Sequence, residues 1–407
     1  MVDILPTIAS VPGFKVAGIH CGLKKNGALD FALVVSDTPC AAAGVFTTNR
    51  VKAAPVLVDM ERLKANPDRI RAVVINTGCA NACTGQQGID NAQQTARWVA
   101  EYIGCSEDEV LVMSTGVIGT QLPMDKIKRG VELAADSLDE SHWEAAARAI
   151  MTTDTRPKMA SAALTAADGQ PYRIAGIAKG AGMIAPNMAT MLGLVVTNAR
   201  FPTPLHPLLH AAAEQSFNRI VVDGDMSTND TVLLLSNGQS GTLETSAGQY
   251  PDALQAVSRK LALDIVRDGE GATKFISILV TGAPDDAAAR LIANTIATSA
   301  LVKTAFFGSD ANWGRIVAAA GRSGVPVNPD QLRLWLFPGE TTTGTEGGLL
   351  LFENGIPTAY REEQAADIMR LPSVSIRLDC GAGGGAALVW TCDLSAEYVA
   401  INADYRS

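Results

Sequence analysis

Histidine is scarce in this chain, and its scarcity narrows the chemistry. The histidines are His20, His142, His206 and His210, and none lies in a nucleophile context such as G-x-S-x-G. His206 and His210 stand four apart on an expected helix, but HPLLH lacks the glutamate of a zinc-protease motif and carries Pro207 at the helix start. They read as ordinary helix residues. An enzyme built on this sequence needs a base other than histidine.

Basic charge is also in short supply. Lys and Arg number 33 against 42 Asp and Glu, a net charge of -9, so no electrostatic footprint exists for nucleic acid or an anionic membrane, and neither is an expected partner. No apolar run reaches the roughly 18 residues that a membrane span needs, and MVDILPTIAS lacks the basic-then-apolar order of a secretory signal. A cytoplasmic location is the expectation. Seven cysteines are an odd number scattered over the chain, which excludes a complete disulfide framework and points to reduced thiols. Cys79 and Cys83 form the one close pair, but with no second pair and no nearby histidine a zinc site is not expected.

Apolar material is plentiful: 47% of the 407 residues are hydrophobic and 18% charged, enough for two or more lobes with sizeable cores. Strands are expected at 31–36 (FALVVS), 55–59 (PVLVD), 70–76, 109–114, 191–197, 231–236, 275–282, 374–379 and 386–394. Helices are expected over 92–103, 141–152, 206–217, 251–266 and 285–302. Several strands are apolar without interruption, which fits sheets covered on both faces. The expected fold is mixed α/β (α+β), a layered sandwich of β-sheets flanked by helices. No internal repeat or low-complexity linker marks a domain boundary.

Glycine clusters invite a cofactor reading that fails on context. Residues 381–386 and 180–185 both spell G-x-G-x-x-A, but a dinucleotide fingerprint opens a helix and has an acidic residue about 20 positions on. The first cluster runs into the strand-like AALVWTCDL, the second into Pro186 and Asn187. GEGATK (269–274) lacks the spacing of a phosphate-binding loop. No cofactor and no metal is expected. Asp223 and Asp225, which flank Gly224 in VVDGDMSTND, read as turn residues rather than a carboxylate pair.

The missing base is offered by KGAGMIAPNMATML (179–192). A threonine hydroxyl is a poor nucleophile until a base sits beside it, and cutting the chain immediately before the threonine makes its own α-amine that base. The candidate scissile bond joins Ala189 to Thr190. Cleavage there gives two polypeptides, 1–189 and 190–407, expected to stay interleaved in one fold. An α-amine with an ordinary pKa of about 7.7–8.0 suits general-base work near neutral pH.

That segment does not stand alone. STGVIG (114–119), IMTTDTRPK (150–158), GEGATKF (269–275), GSDANWGRI (308–316) and the C-terminal WTCDLSAEYVAINADYRS accompany it. In this order, over nearly the whole chain, the motifs resemble the bifunctional glutamate N-acetyltransferase and ornithine acetyltransferase family of arginine biosynthesis. The resemblance implies a self-cleaving, N-terminal-nucleophile-like enzyme whose α chain (1–189) and β chain (190–407) assemble as a heterotetramer of two of each. It implies transfer of acetyl from N2-acetyl-L-ornithine to L-glutamate through an acetyl-threonine ester on Thr190, with ping-pong kinetics. Acetyl-CoA stands open as a further donor, since no motif decides it.

The same resemblance implies an oxyanion hole from Thr115 and Gly116 and substrate contacts from Thr153, Lys179, Thr190, Glu270, Asn402 and Ser407. Thr152 competes with Thr153, which is favoured. Taken without the family, a T-G pair after a strand is a turn, a lone lysine or glutamate is a solvated charge, and a C-terminal tail frays. No role follows for Asp310, Asn312 or Arg315. The alternative reading is a self-cleaving N-terminal-threonine amidohydrolase or aminopeptidase, which admits water to the ester.

Overall fold

The computed structural model describes residues 3–165, 169–185, 191–201, 204–241, 249–340, 344–381 and 383–403. The chain divides into two compact units, Met1–Asn218 with Asp225–Ile265 and Arg219–Gly224 with Val266–Ser407.

Along the first unit run β1 (Phe14–Ile19), β2 (Phe31–Phe46), α1 (Ala54–Ala65), β3 (Ile70–Cys79), α2 (Gly85–Ile103) and β4 (Val110–Val117). Then come α3 (Met124–Asp136), α4 (Trp143–Ala149), β5 (Lys158–Thr165), β6 (Pro171–Lys179), β7 (Leu192–Thr197) and α5 (Leu205–Glu214). After β8 (Ile220–Val221), which belongs to the second unit, follow β9 (Thr231–Ser236) and α6 (Gln249–Arg267). The sheet order is β4-β3-β2-β9-β7-β6-β5, with β1 also paired to β2.

The long β2 serves both ends of this sheet: Phe31–Val35 pair with β3, and Ala41–Phe46 pair with β9. One core therefore receives side chains from both halves, Val34, Ile75 and Leu111 from one and Ile177, Leu194 and Leu233 from the other, with Trp143 of α4 fully buried among them. Burial of each such aliphatic side chain contributes about 1.5–3 kcal/mol. On the outer face of the first half, Val74 and Val112 meet Ala96 and Val99 of α2 and Ile127 and Val131 of α3. Gly176 of β6 lies under Leu261 of α6, where an added Cβ would stand 3.0 Å from Leu261 Cδ1 and displace it. Helices thus flank a doubled sheet, the layered arrangement expected. Strands β7 and β9 are buried at every residue, which is why both read as unbroken apolar runs.

The second unit continues with β10 (Phe275–Ala283), α7 (Asp286–Ala297), α8 (Ala300–Phe307), α9 (Trp313–Gly321), β11 (Arg333–Pro338) and β12 (Leu349–Glu353). It ends with β13 (Ile356–Pro357), α10 (Glu362–Met369), β14 (Ser373–Asp379), β15 (Gly385–Cys392) and α11 (Ala396–Ala403). Its sheet order is β13-β12-β11-β14-β10-β15-β8. Ile276, Ile278 and Val280 of β10 pack with Ile292 and Ile296 of α7 and Phe306 of α8.

Two expected elements differ. Residues 55–59 are not a strand but part of α1, which Pro55 opens; the helix buries Val58, Asp59 and Arg62 on one face, so its polar core residues hide the helical period. The expected helix 285–302 is two helices. Asp285 is the N-cap of α7, accepting the Ala288 N–H, and the chain leaves the helix at Thr298 before α8 begins. The division at 189/190 follows neither compact unit: β7 lies between β6 and β9, so the ladder from Ile174–Lys179 to Leu192–Thr197 joins segments on either side of that bond.

Candidate active site

Ala189, Thr190 and Ser407 lie outside the described residues, which resume at Met191 and end upstream at Ala185. Upstream, Lys179 closes β6, is buried, and donates from Nζ to Thr152 Oγ1 at 3.1 Å. Thr152 is thus a partner of the lysine, while Thr153, the threonine favoured as a substrate contact, sits half-buried in the same bend. Asp154 organises this corner. Its carboxylate accepts the Thr152 N–H at 2.9 Å, the Gly180 N–H at 2.7 Å and Lys158 Nζ at 2.5 Å. Burial pushes the Asp154 carboxyl up, but Lys158, Lys179 and the Gly180 N–H outweigh it and hold it below the usual carboxylate range.

Downstream, Met191 is pinned through both backbone groups. Its N–H donates to Asp230 Oδ1 at 3.0 Å, and its carbonyl accepts the Thr231 N–H at 3.1 Å. Burial pushes the Asp230 carboxyl well above the ordinary range, against the pull of the Met191 N–H and Lys179. Asp230 Oδ2 has no hydrogen-bond partner among the described residues.

Thr115 and Gly116 end β4, in parallel register with Thr77 and Gly78 of β3. Gly116 has φ +134°, and a Cβ there would stand 2.3 Å from the Gly78 carbonyl carbon, so only glycine fits. The carbonyl of Ser114, in the peptide that supplies the Thr115 N–H, accepts from Asn229 Nδ2 at 2.8 Å. Asn229, Asp230 and Asp154 were not among the residues expected at the site. Neither aspartate nor the asparagine carries a local signature in the sequence.

In the second unit, Glu270 and Asn402 come together: Asn402 Nδ2 donates to Glu270 Oε2 at 2.7 Å. The loop bearing Glu270 is tied to the segment before α11, where Asp393 accepts the Thr273 and Lys274 N–H groups at 2.8 and 2.9 Å and Ser395 Oγ donates to the Gly271 carbonyl at 2.6 Å. Gly271, at φ +66°, approaches Tyr398 N too closely for a Cβ. Asp223 accepts from Tyr398 Oη at 3.2 Å.

GSDANWGRI is a helix junction. Asn312 caps α9 by accepting the Arg315 N–H and donates to Asp310 at 3.0 Å, while Arg315 satisfies the Leu301 carbonyl of α8 at 2.8 Å. His206 and His210 lie on α5, as expected. Cys79 is buried and donates to the Thr120 carbonyl, whereas Cys83 is exposed. Among the described residues no cluster of three or more His, Cys, Asp or Glu is arranged to hold a metal, and no helix is long and apolar enough to cross a membrane.

A family model, the ArgJ family, matches residues 15–407. The arginine biosynthesis bifunctional protein ArgJ of Geobacter sulfurreducens is 48% identical over 404 residues, covering 98% of this chain and 100% of the relative. That of Thermotoga neapolitana is 46% identical over 401 residues, 97% of this chain and 99% of the relative. A solved structure of ornithine acetyltransferase complexed with ornithine from Mycobacterium tuberculosis is 42% identical, covering 46% of this chain and 98% of that one, with a TM-score of 0.42. With nearly its whole length matched to one family model and to full-length relatives approaching half identity, this chain belongs to the ArgJ family.

Proposed function

We propose that this chain cleaves itself between Ala189 and Thr190 and then transfers acetyl from N2-acetyl-L-ornithine to L-glutamate. The observation that carries this reading is the family match across residues 15–407. The geometry supports it: Lys179 at the end of β6 pairs with Leu192 at the start of β7, and Lys179, Met191 and Thr115 of β4 are all buried.

In the precursor, Thr190 Oγ attacks the Ala189 carbonyl carbon, the C–N bond breaks, and the freed α-amine takes the hydroxyl proton. Water hydrolyses the resulting ester and restores the hydroxyl. In catalysis, the Thr190 amine accepts the hydroxyl proton as Oγ attacks the acetyl carbonyl of acetylornithine. It returns that proton to the ornithine nitrogen as the amide C–N bond breaks. The glutamate α-amine then attacks the acetyl ester, giving N-acetylglutamate and free Thr190. Each tetrahedral oxyanion is met by Thr115 and the Gly116 N–H.

Lys179, held by Thr152, supplies a buried cation for a substrate carboxylate and favours the unprotonated amine of Thr190. Glu270, with Asn402, receives the substrate's ammonium end, and Thr153 and Ser407 complete the polar contacts. Assembly as two α and two β chains and action in the cytoplasm belong to the same reading. The test is direct. Wild type runs as two fragments on a denaturing gel and moves labelled acetyl from acetylornithine to glutamate, whereas Thr190→Ala stays intact at 42.5 kDa and is inactive. A split Thr190→Ala chain, or free acetate as the sole product of wild type, overturns the proposal.

A further inference from the structure

The segment Ser227–Asp230 is held more firmly than a turn requires. The Ala53 N–H donates to the Thr228 carbonyl and the Thr47 N–H to the Asp230 carbonyl, each at 2.9 Å, while Thr47 Oγ1 donates to the Ser227 carbonyl at 2.8 Å. From this anchored segment two adjacent side chains reach two different peptides. Asn229 spends both amide hydrogens, on the Ala80 carbonyl at 2.6 Å and on the Ser114 carbonyl at 2.8 Å. Its own Oδ1 accepts from Thr228 Oγ1 at 2.6 Å, so the amide is oriented without ambiguity. Asp230 holds the Met191 N–H at 3.0 Å. That nitrogen is bonded to the carbonyl carbon of Thr190, and the Ser114 carbonyl belongs to the peptide whose N–H is that of Thr115.

Side chains adjacent in sequence thus grip, one each, the backbone next to the nucleophile and the backbone next to the oxyanion hole. We propose that Asn229 and Asp230 are positioning residues that set Thr190 against Thr115 and Gly116. The proposal rests on the acetyltransferase reading above. All these residues lie in the first unit. Both residues are buried, so water is not available to replace either bond. Burial also pushes the Asp230 carboxyl well above its ordinary range, and asparagine keeps the same shape and an acceptor oxygen for the Met191 N–H.

The test uses the full chain, with rates expressed per cleaved molecule. Misplacing a reacting group by about 1 Å costs on the order of 100-fold. Asn229→Ala and Asp230→Ala each therefore lower kcat for acetyl transfer about 100-fold, with KM for both amino acids held within about threefold, and slow precursor cleavage to a similar degree. Residues acting as one unit are not additive, so the double variant falls no more than about tenfold below the worse single. Asp230→Asn recovers at least about tenfold of the loss. If Asp230→Ala is insoluble, Asp230→Leu fills the volume without the acceptor and takes its place. Single variants that keep kcat within about threefold of wild type while melting earlier would mark the pair as structural pins and overturn the proposal. A wild type that cleaves but transfers no acetyl removes the acetyltransferase reading instead; cleavage rates of the same variants then still decide the positioning role.

Discussion

The candidate residues of the first unit and those of the second are held by different means. In the first, Thr115, Gly116 and Lys179 lie in strand ladders at or near strand ends, and Met191, just before β7, is held by Asp230 and the Thr231 N–H. In the second, Glu270 sits on a loop tied down by a few side-chain bonds, from Asp393 and Ser395 to its backbone and from Asn402 to its carboxylate. Groups that meet a reacting carbon need sub-ångström placement, and strand ladders supply it. A group that recognises an ammonium, as proposed for Glu270, tolerates more movement, and side-chain bonds suffice.

Gly116→Ala tests the first half of that contrast hardest. The added methyl meets backbone, the Gly78 carbonyl carbon at 2.3 Å, and no side-chain rotation relieves it. Self-cleavage and acetyl transfer both fall about 1000-fold, the scale of losing an oxyanion donor. Retention of either rate within about tenfold would show that the β3–β4 ladder gives way and would break the contrast. Glu270→Gln tests the second half. The amide oxygen still accepts from Asn402, but the charge is gone, and a hydrogen bond to a charged group is worth about 1.5–3 kcal/mol. KM for acetylornithine rises at least about tenfold, while the fraction of chain cleaved stays at the wild-type value. A drop in kcat or in cleavage with KM unmoved would place Glu270 with the chemistry.

What the sequence made legible follows the same line. Strands buried on both faces declare themselves as apolar runs, and β3, β4, β7, β9, β10, β14 and β15 were read close to their bounds. Helix α1 was misread because it turns Asp59 and Arg62 inward, against the usual sorting of polar residues. The long motifs around Thr190, Thr115 and Glu270 were legible as motifs. Asn229 and Asp230 were not, because their partners are backbone groups: the Ser114 carbonyl lies 115 residues away in sequence and the Met191 N–H 39. A side chain that serves a distant peptide leaves no spacing to recognise. For the same reason the bond from Lys179 to Thr152 needed coordinates.

The mildest expected effect sharpens the contrast by separating stability from chemistry inside the first unit. Asp59 accepts the Val112 N–H at 2.8 Å along the edge strand β4, its Oδ2 has no partner among the described residues, and burial raises its pKa well above the ordinary value despite Val112 and Arg62. A carboxyl raised in the folded state holds a proton that the unfolded chain releases near pH 3.9. Its stabilising share is complete below about pH 3.9 and is lost as pH rises through the folded pKa. Asp230 acts in the same direction, while Asp154, held low, contributes above that pH and loses its share on acidification. Asp59→Asn removes one term that weakens the protein as pH rises. Its melting temperature therefore falls less than that of wild type as pH rises above about 3.9, with kcat and KM unchanged because Asp59 touches none of the candidate residues. Parallel melting curves for the two proteins across that range would mean that Asp59 is ionised in the fold. A lowered kcat would mean that the edge of the sheet, and not only its strand ends, is set by the demands of the chemistry.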